Sequence, residues 1–247
     1  MNPGLYFAIG KNARDLLYKD YAQQKQPFQL GYHSLDWSLD LSCQIEEILP
    51  RLNSVFRVVI PDSGKAEVQY LRDYLGFSAS VGLRANPATA TATGLDPIAN
   101  ISGVIGTSLI SLGADLGFNI TTRTLQDLSA GLSFSTTFLI ASMTWSDNFD
   151  TVKASFYHAL NAPTRTALAA ELKHRFSMDS TSTLTIGAQH ALFPCTMIKA
   201  RLNTDGKVSA LLRHQVLNKF HVSIAGETDF KDSINTPRIG LSLALNP

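Results

Sequence analysis

Charged and hydroxyl-bearing side chains recur between residues 165 and 229 at spacings of two or its multiples. Arg165, Glu171, Lys173 and Arg175 form one series, and Lys199, Arg201 and Asn203 a second. Lys207, Ser209, Arg213 and Gln215 form a third, followed by Ser223, Glu227 and Asp229. Residues two apart in an extended strand share a face, so each series lines one side of a strand. From 165 to 213 the charges on that side are mostly basic. A low-dielectric wall focuses such a field, enriching small anions and depleting cations. This is a chemistry of attraction, not of bond making.

Bond-making chemistry finds little support. Glu171 and His174 in "ELKH" are three apart and face opposite sides of a strand, so they cannot share a metal. "GVIG" lacks the Lys-Ser/Thr of a phosphate-cradling loop. The six histidines fall singly, several near strand ends on the apolar register, and no GxSxG elbow with a base partner is present. Cys43 and Cys195 read as free thiols. The expectation is a protein that is not an enzyme, with no catalytic residue, no metal ligand and no cofactor.

The elements that position these residues are alternating strands. "ISLGADLGFNI" sets Ile110, Leu112, Ala114, Leu116 and Phe118 against Ser111, Gly113, Asp115, Gly117 and Asn119. "FSASVGLRA" sets Phe77, Ala79, Val81 and Leu83 against Ser78, Ser80, Gly82 and Arg84. The pattern returns in "TALAAELKHRF", "TLTIGAQHA", "TMIKARLN", "KVSALLRHQV", "FHVSIAGETD" and "RIGLSLALNP". Short turn-type links such as "NAPT" and "NTDG" separate them. Ten-residue strands tilted by about 45° span roughly 23 Å, and template matching gives about 16 strands.

One face carries the bulk, and the other carries Ser, Gly, Ala, Thr and single charges. A sandwich or lipocalin packs its large side chains inward. Here the small, wet face meets something that needs no filling. The fold class is therefore all-β: a transmembrane antiparallel up-and-down β-barrel with lipid outside and water inside. Closure also disposes of the open edges of so long a meander.

Composition agrees. With 45% hydrophobic residues, 17% charged and a formal net charge of +1, the chain lacks the basic excess of a nucleic-acid binder. No run approaches about 18 apolar residues, so no transmembrane helix is expected, and no apolar secretory h-region is apparent. The segment "PGLYFAIGKNARDLLYKDY" instead places Leu5, Ile9, Ala13, Leu16 and Leu17 at helical spacing, with Lys11, Arg14 and Lys19 mostly on the other side. It reads as one short amphipathic helix started by Pro3 and weakened at Gly10 by about 1 kcal/mol. The expected division is residues 1–25 as this helix, in the pore interior or the membrane interface, and 26–247 as the barrel.

The N-terminal segment, "SGKAEVQYLRDYLGFSASVGLRANP", "NISGVIGTSLISLGADLGFN", "TIGAQHALFPCTMIKARLNTDGKVSALLRH" and "RIGLSLALNP" resemble the mitochondrial outer-membrane porins, or voltage-dependent anion channels. The plant members are the nearest likeness. The resemblance spans roughly residues 3–25 and 62–247 and implies at most 19 strands. It also implies a pore-associated gating helix carrying Lys11, Arg14 and Lys19, and an outer-membrane assembly signal at Arg238, Gly240, Leu243 and Leu245. Three departures stand out. Phe193 replaces a usual acidic residue, residues 26–61 are shortened to about three strands, and "PATATATGLDPIA" between Asn86 and Asn100 is extra, either loop or strand.

The expected function is a voltage-dependent, weakly selective channel of the mitochondrial outer membrane. It would pass small hydrophilic molecules, anions and metabolites such as adenine nucleotides. Arg165, Lys173, Arg175, Lys199, Arg201, Lys207 and Arg213 are the expected pore-lining selectivity residues. Expected partners are membrane lipid and the permeating small anions and nucleotides. Nucleic acid is excluded, and self-association into a homo-oligomer is open. A poorly conducting porin-like barrel acting as an interaction platform is the alternative, and a soluble lipid-binding barrel is a third reading.

Overall fold

The computed structural model describes residues 2–19, 21, 39–49, 52–60, 63–85, 95–161, 163–177, 180–193, 195–217, 220–231 and 238–245. Fifteen strands are described. They are β1 (Leu39–Leu49), β2 (Leu52–Ile60), β3 (Ser63–Arg72), β4 (Leu75–Ala85), β5 (Leu95–Gly106), β6 (Ile110–Asn119), β7 (Thr124–Ser135) and β8 (Leu139–Ser146). These are followed by β9 (Thr151–Asn161), β10 (Thr166–Arg175), β11 (Thr181–Phe193), β12 (Thr196–Asn203), β13 (Lys207–Leu217), β14 (Phe220–Asp229) and β15 (Arg238–Leu245). Hydrogen-bonded order follows sequence order throughout, the meander that short links dictate. The shortened region holds β1 and β2, with residues 22–38 outside the described residues. The extra stretch resolves into strand from Leu95 onward, and 86–94 lie outside the described residues.

The contacts divide the chain into two compact units, one of residues 1–9, 33–134 and 144–152, the other of 10–32, 135–143 and 153–247. In the first, β6 reads exposed and shielded in strict alternation. Ile110, Leu112, Leu116 and Phe118 are exposed, while Ser111, Gly113 and Gly117 are buried. Neighbouring registers extend the two faces sideways. Phe77, Gly103, Ala114 and Ala130 pair in a row on the apolar side, and Ser78, Ser102, Asp115 and Ser129 on the polar side. A hydroxyl–hydroxyl hydrogen bond of 2.7 Å joins Ser78 and Ser102 across the polar face.

The second unit repeats the inversion. Leu168, Leu172, Ile186, Ile198, Leu202, Leu212 and Ile224 are exposed, and Leu202 is 53% so. Their alternates Glu171, Thr185, Lys199, Ser209 and Ser223 are buried. In β15 Ile239 and Leu241 stand 72% and 64% exposed, in register with Gly226 and Ile224 of β14. So much exposed bulk along a regular sheet face is incompatible with water on that side. It fits a wall whose outer solvent is hydrocarbon.

The expected short N-terminal helix is present and is preceded by a separate turn. A 3-10 turn covers Tyr6–Ala8, and the α-helix, α1, spans only Lys11–Leu17. Gly10 separates them with φ +67° in the left-handed region, which glycine adopts without penalty. A seven-residue helix is too short to persist alone. Packing holds it: Ala13, Leu16 and Leu17 are buried against Ala167 and Ala169 of β10. Each buried leucine contributes about 1.5–3 kcal/mol.

Candidate functional site

The candidate functional surface is the polar face, and in the second unit α1 lies on it. Its contacts are with β10, β11 and β12, on the side of Glu171 and Lys199, opposite the exposed leucines. That placement sets the apolar stripe of α1 against the sheet. The wall is shaped to receive it. A Cβ on Gly187 would lie 2.7 Å from Leu17 Cδ2 and 3.0 Å from the Ala200 carbonyl oxygen. Gly10 comes down on Ser142 and Ser155, whose hydroxyls share a 2.6 Å hydrogen bond.

The end of α1 is held by two cations from β12. Lys199 Nζ donates to the Asp15 carbonyl at 3.1 Å, and Arg201 Nη1 donates to the Leu17 carbonyl at 3.0 Å. The last carbonyls of a helix have no intrahelical partner and carry partial negative charge. Cations from the wall therefore satisfy both needs. Arg201 also donates to Ser209 Oγ at 3.1 Å and to Glu227 Oε2 at 3.2 Å. Its guanidinium lies 5.5 Å from the Tyr18 ring centroid and 4.6 Å from that of Tyr21. Tyr18 Oη donates to Glu171 Oε1 at 2.7 Å. Burial, and then that bond, push the Tyr18 hydroxyl up to about 12. Tyr21 packs into an apolar seat of Leu211 and Ala225.

In the first unit the residues ahead of α1 have their own seats. The turn at Tyr6–Ala8 touches β4, β5 and β6. A Cβ on Gly113 would strike the Tyr6 ring, and one on Gly131 would press on Ile9.

The expected selectivity residues are thus not equivalent. Lys173, Arg175 and Lys207 are exposed on the inner register of β10 and β13. Lys199 and Arg201 are committed to the helix. Arg165 sits in the turn before β10 with φ 46°, at the strand ends. Arg213 Nε reaches Ser223 Oγ at 3.5 Å. Lys11, Arg14 and Lys19 are exposed on and just after α1. In β15, Arg238, Gly240, Leu243 and Leu245 pair with Glu227, Ala225, Val222 and Phe220. Tyr18 and Tyr21 were missed by sequence reasoning. One signal was available: Leu211 and Ala225 break the polar inner register of β13 and β14, and such a break asks for an apolar partner.

A family model for the eukaryotic porin matches residues 28–240. The chain is a eukaryotic porin. It is 38% identical to the mitochondrial outer membrane protein porin of 36 kDa of Solanum tuberosum, over 99% of both chains. It is 36% identical to mitochondrial outer membrane protein porin 1 of Arabidopsis thaliana, again over 99% of both. The outer plastidial membrane protein porin of Pisum sativum is also 36% identical over 99% of both. The Solanum alignment runs to 283 positions, 36 more than the 247 residues of this porin, so at least 36 positions face gaps in it. Among solved structures, a variant of Rh. blastica porin superposes with TM-score 0.50 at 10% identity, over 84% of this porin and 96% of that chain. At that identity the likeness concerns the fold, a porin β-barrel.

Proposed function

We propose that this porin is a voltage-dependent, weakly selective channel of the mitochondrial outer membrane. It passes small hydrophilic molecules, anions and metabolites such as adenine nucleotides. The inverted sheet carries the reading: a bulky face suited to hydrocarbon backs a face of Ser, Thr, Gly and single charges suited to water. The relatives named as mitochondrial outer membrane porins support the location, and an organelle import assay decides it against the plastid envelope named for the Pisum relative.

Lys173, Arg175 and Lys207, with Arg165 in the turn before β10 and Arg213 within β13, bias the path toward anions. Residues 1–25 form the gating segment and 26–247 the barrel, with the register of Arg238, Gly240, Leu243 and Leu245 serving assembly. Voltage acts on whichever of these charges moves, at about 2.3 kcal/mol per charge per 100 mV. No catalytic step is assigned to any residue. Single-channel recording in a planar bilayer under a salt gradient tests the proposal. A stable conductance with an anion-leaning reversal potential is the expected result. A folded, inserted but silent protein would favour the interaction-platform reading, for which the 36-position shortfall is the motive.

A further inference from the structure

We infer that the outer face of β11–β14 carries a binding site for one phospholipid with two phosphate groups. Its headgroup sits on His190 and His214, and an acyl chain lies in a groove beside them. This goes beyond hydrocarbon as the solvent of that face, and it holds whether or not the barrel conducts.

The groove comes from register. Ala188 of β11 pairs with Ala200 of β12, Ala200 with Ala210 of β13, and Ala210 with Gly226 of β14. Small residues thus fill one row across these strands, spaced by about 4.8 Å each, so the row is roughly 14 Å long. The rows on either side are bulky. Ile198 and Leu212 lie on one side, Ile186 and Leu202 on the other, and all of them are exposed. A Cβ added to Gly226 would meet nothing within 4 Å, so the floor of the row is open. A trough between such walls loses dispersion contacts unless a chain lies in it.

The headgroup contacts stand at the edge of this groove. His190 pairs with Ile198 in the bulky row, and His214 pairs with Thr196, two residues along β12 toward the strand end. Both histidines are exposed and lie close to the ends of β11 and β13, where the apolar band of a barrel gives way to headgroups. Hydrogen bonds of 2.8 Å join His190 Nδ1 to Thr166 Oγ1 and His214 Nδ1 to Thr196 Oγ1. Each threonine belongs to an adjacent strand, so each ring is held in place and Nε2 is the nitrogen left to a ligand. An imidazole N–H donates well to a phosphate oxygen. The register places the two histidines roughly 12 Å apart, which suits two linked phosphates better than one. His174 offers a comparison in the same wall. Its Nδ1 lies 2.7 Å from Ser182 Oγ, the same cross-strand arrangement, but the next outward-facing pair along the strands is Leu172 and Leu184. Bulk, not a trough, lies beneath it.

Native mass spectrometry of the full chain released from detergent micelles reads bound lipid directly. Diphosphatidylglycerol, phosphatidylglycerol and phosphatidylcholine are offered at equal concentration. The two-phosphate lipid should be retained about tenfold more than either one-phosphate lipid, matching one further charge-assisted hydrogen bond. His190→Leu combined with His214→Leu puts on this face the residue type its neighbours already carry, so the barrel should fold and the preference should vanish. Ala200→Phe should block the groove and lower retention of all three lipids. His174→Leu should change nothing. Equal retention of the three lipids by folded wild-type protein, or an equal loss of preference in His174→Leu, would overturn the site. Unchanged retention in Ala200→Phe would overturn the groove.

Discussion

Replacing Arg201 by methionine isolates what fastens the helix. Methionine keeps an unbranched stem between Tyr18 and Tyr21 and removes the charge. The charged hydrogen bond to the Leu17 carbonyl is worth about 1.5–3 kcal/mol, and contact with the Tyr21 ring at 4.6 Å adds roughly 0.5–1. Glu227 loses its partner but is 28% exposed and keeps the Ser209 hydroxyl at 3.2 Å, so the penalty on that side is small. The docked state should weaken by about 2–3 kcal/mol, a factor of roughly 30–150. Trypsin reads this directly. Lys11, Arg14 and Lys19 are exposed, yet their backbone is helical or seated and must open before it can be cut. When opening is fast, cleavage tracks the open population. N-terminal cleavage in Arg201→Met should therefore rise by about that factor, with Arg201→Lys intermediate because charge survives without the fork. Unchanged cleavage, or an equal rise in a Lys207→Met control, would refute the fastening role.

The same assay reads Gly187→Val, whose Cβ has no room beside Leu17, and a loss of about 1–3 kcal/mol in docking is expected. Gly103→Ala is its control: nothing lies within 4 Å of the added Cβ, and unfolding should shift by less than about 0.5 kcal/mol. Tyr18 supplies a pH test. Its folded pKa of about 12 lies above the ordinary 10, so its contribution is full below pH 10 and is lost as pH rises through 12. Tyr18→Phe should abolish that alkaline release, and identical release curves would contradict the assignment. Leu212→Arg places a charge on the outer face and should cost about 2–4 kcal/mol in vesicle-reconstituted unfolding. A cost near zero would mean that this face does not meet lipid.

The outer face was legible in the sequence because alternation is local. Ile110, Leu112 and Leu116 declare their side by spacing alone, and the register of β15 follows from "RIGLSLAL". The docked helix was legible only as an amphipathic segment. Its stripe says that something is buried, but not where. Its break at Gly10 depends on a left-handed turn that Ser142 and Ser155 accommodate from far along the chain. The fate of Lys199 and Arg201 was illegible for a similar reason. Spacing assigns them to the polar face of their strand, but their partners are backbone carbonyls, which exist at every position and leave no mark in composition. The inward glycines at 113, 131 and 187 read as weak strand residues until the segment that occupies their space is known.

The proposed function couples selectivity and gating through those same two side chains. A cation whose donors point at helix carbonyls spends much of its field on the partial charge it neutralises. Under the proposed function, Lys199 and Arg201 should therefore contribute less to the permeation field than Lys173, Arg175 and Lys207 while α1 is docked. Release of the helix would uncover both and would carry Lys11 and Arg14 away from the wall. The charge presented by β12 and the position of the basic helix then change together, so a conductance substate reached by undocking must differ in ion preference as well as in width. Reversing Lys199 and Arg201 to acids consequently cannot be a pure test of selectivity. It removes the two donors that satisfy Asp15 and Leu17 and sets carboxylates against the negative end of the helix. Any change in reversal potential would then arise from wall charge and helix position at once. Acid substitutions at Lys173 and Lys207, which hold nothing on α1, separate the two.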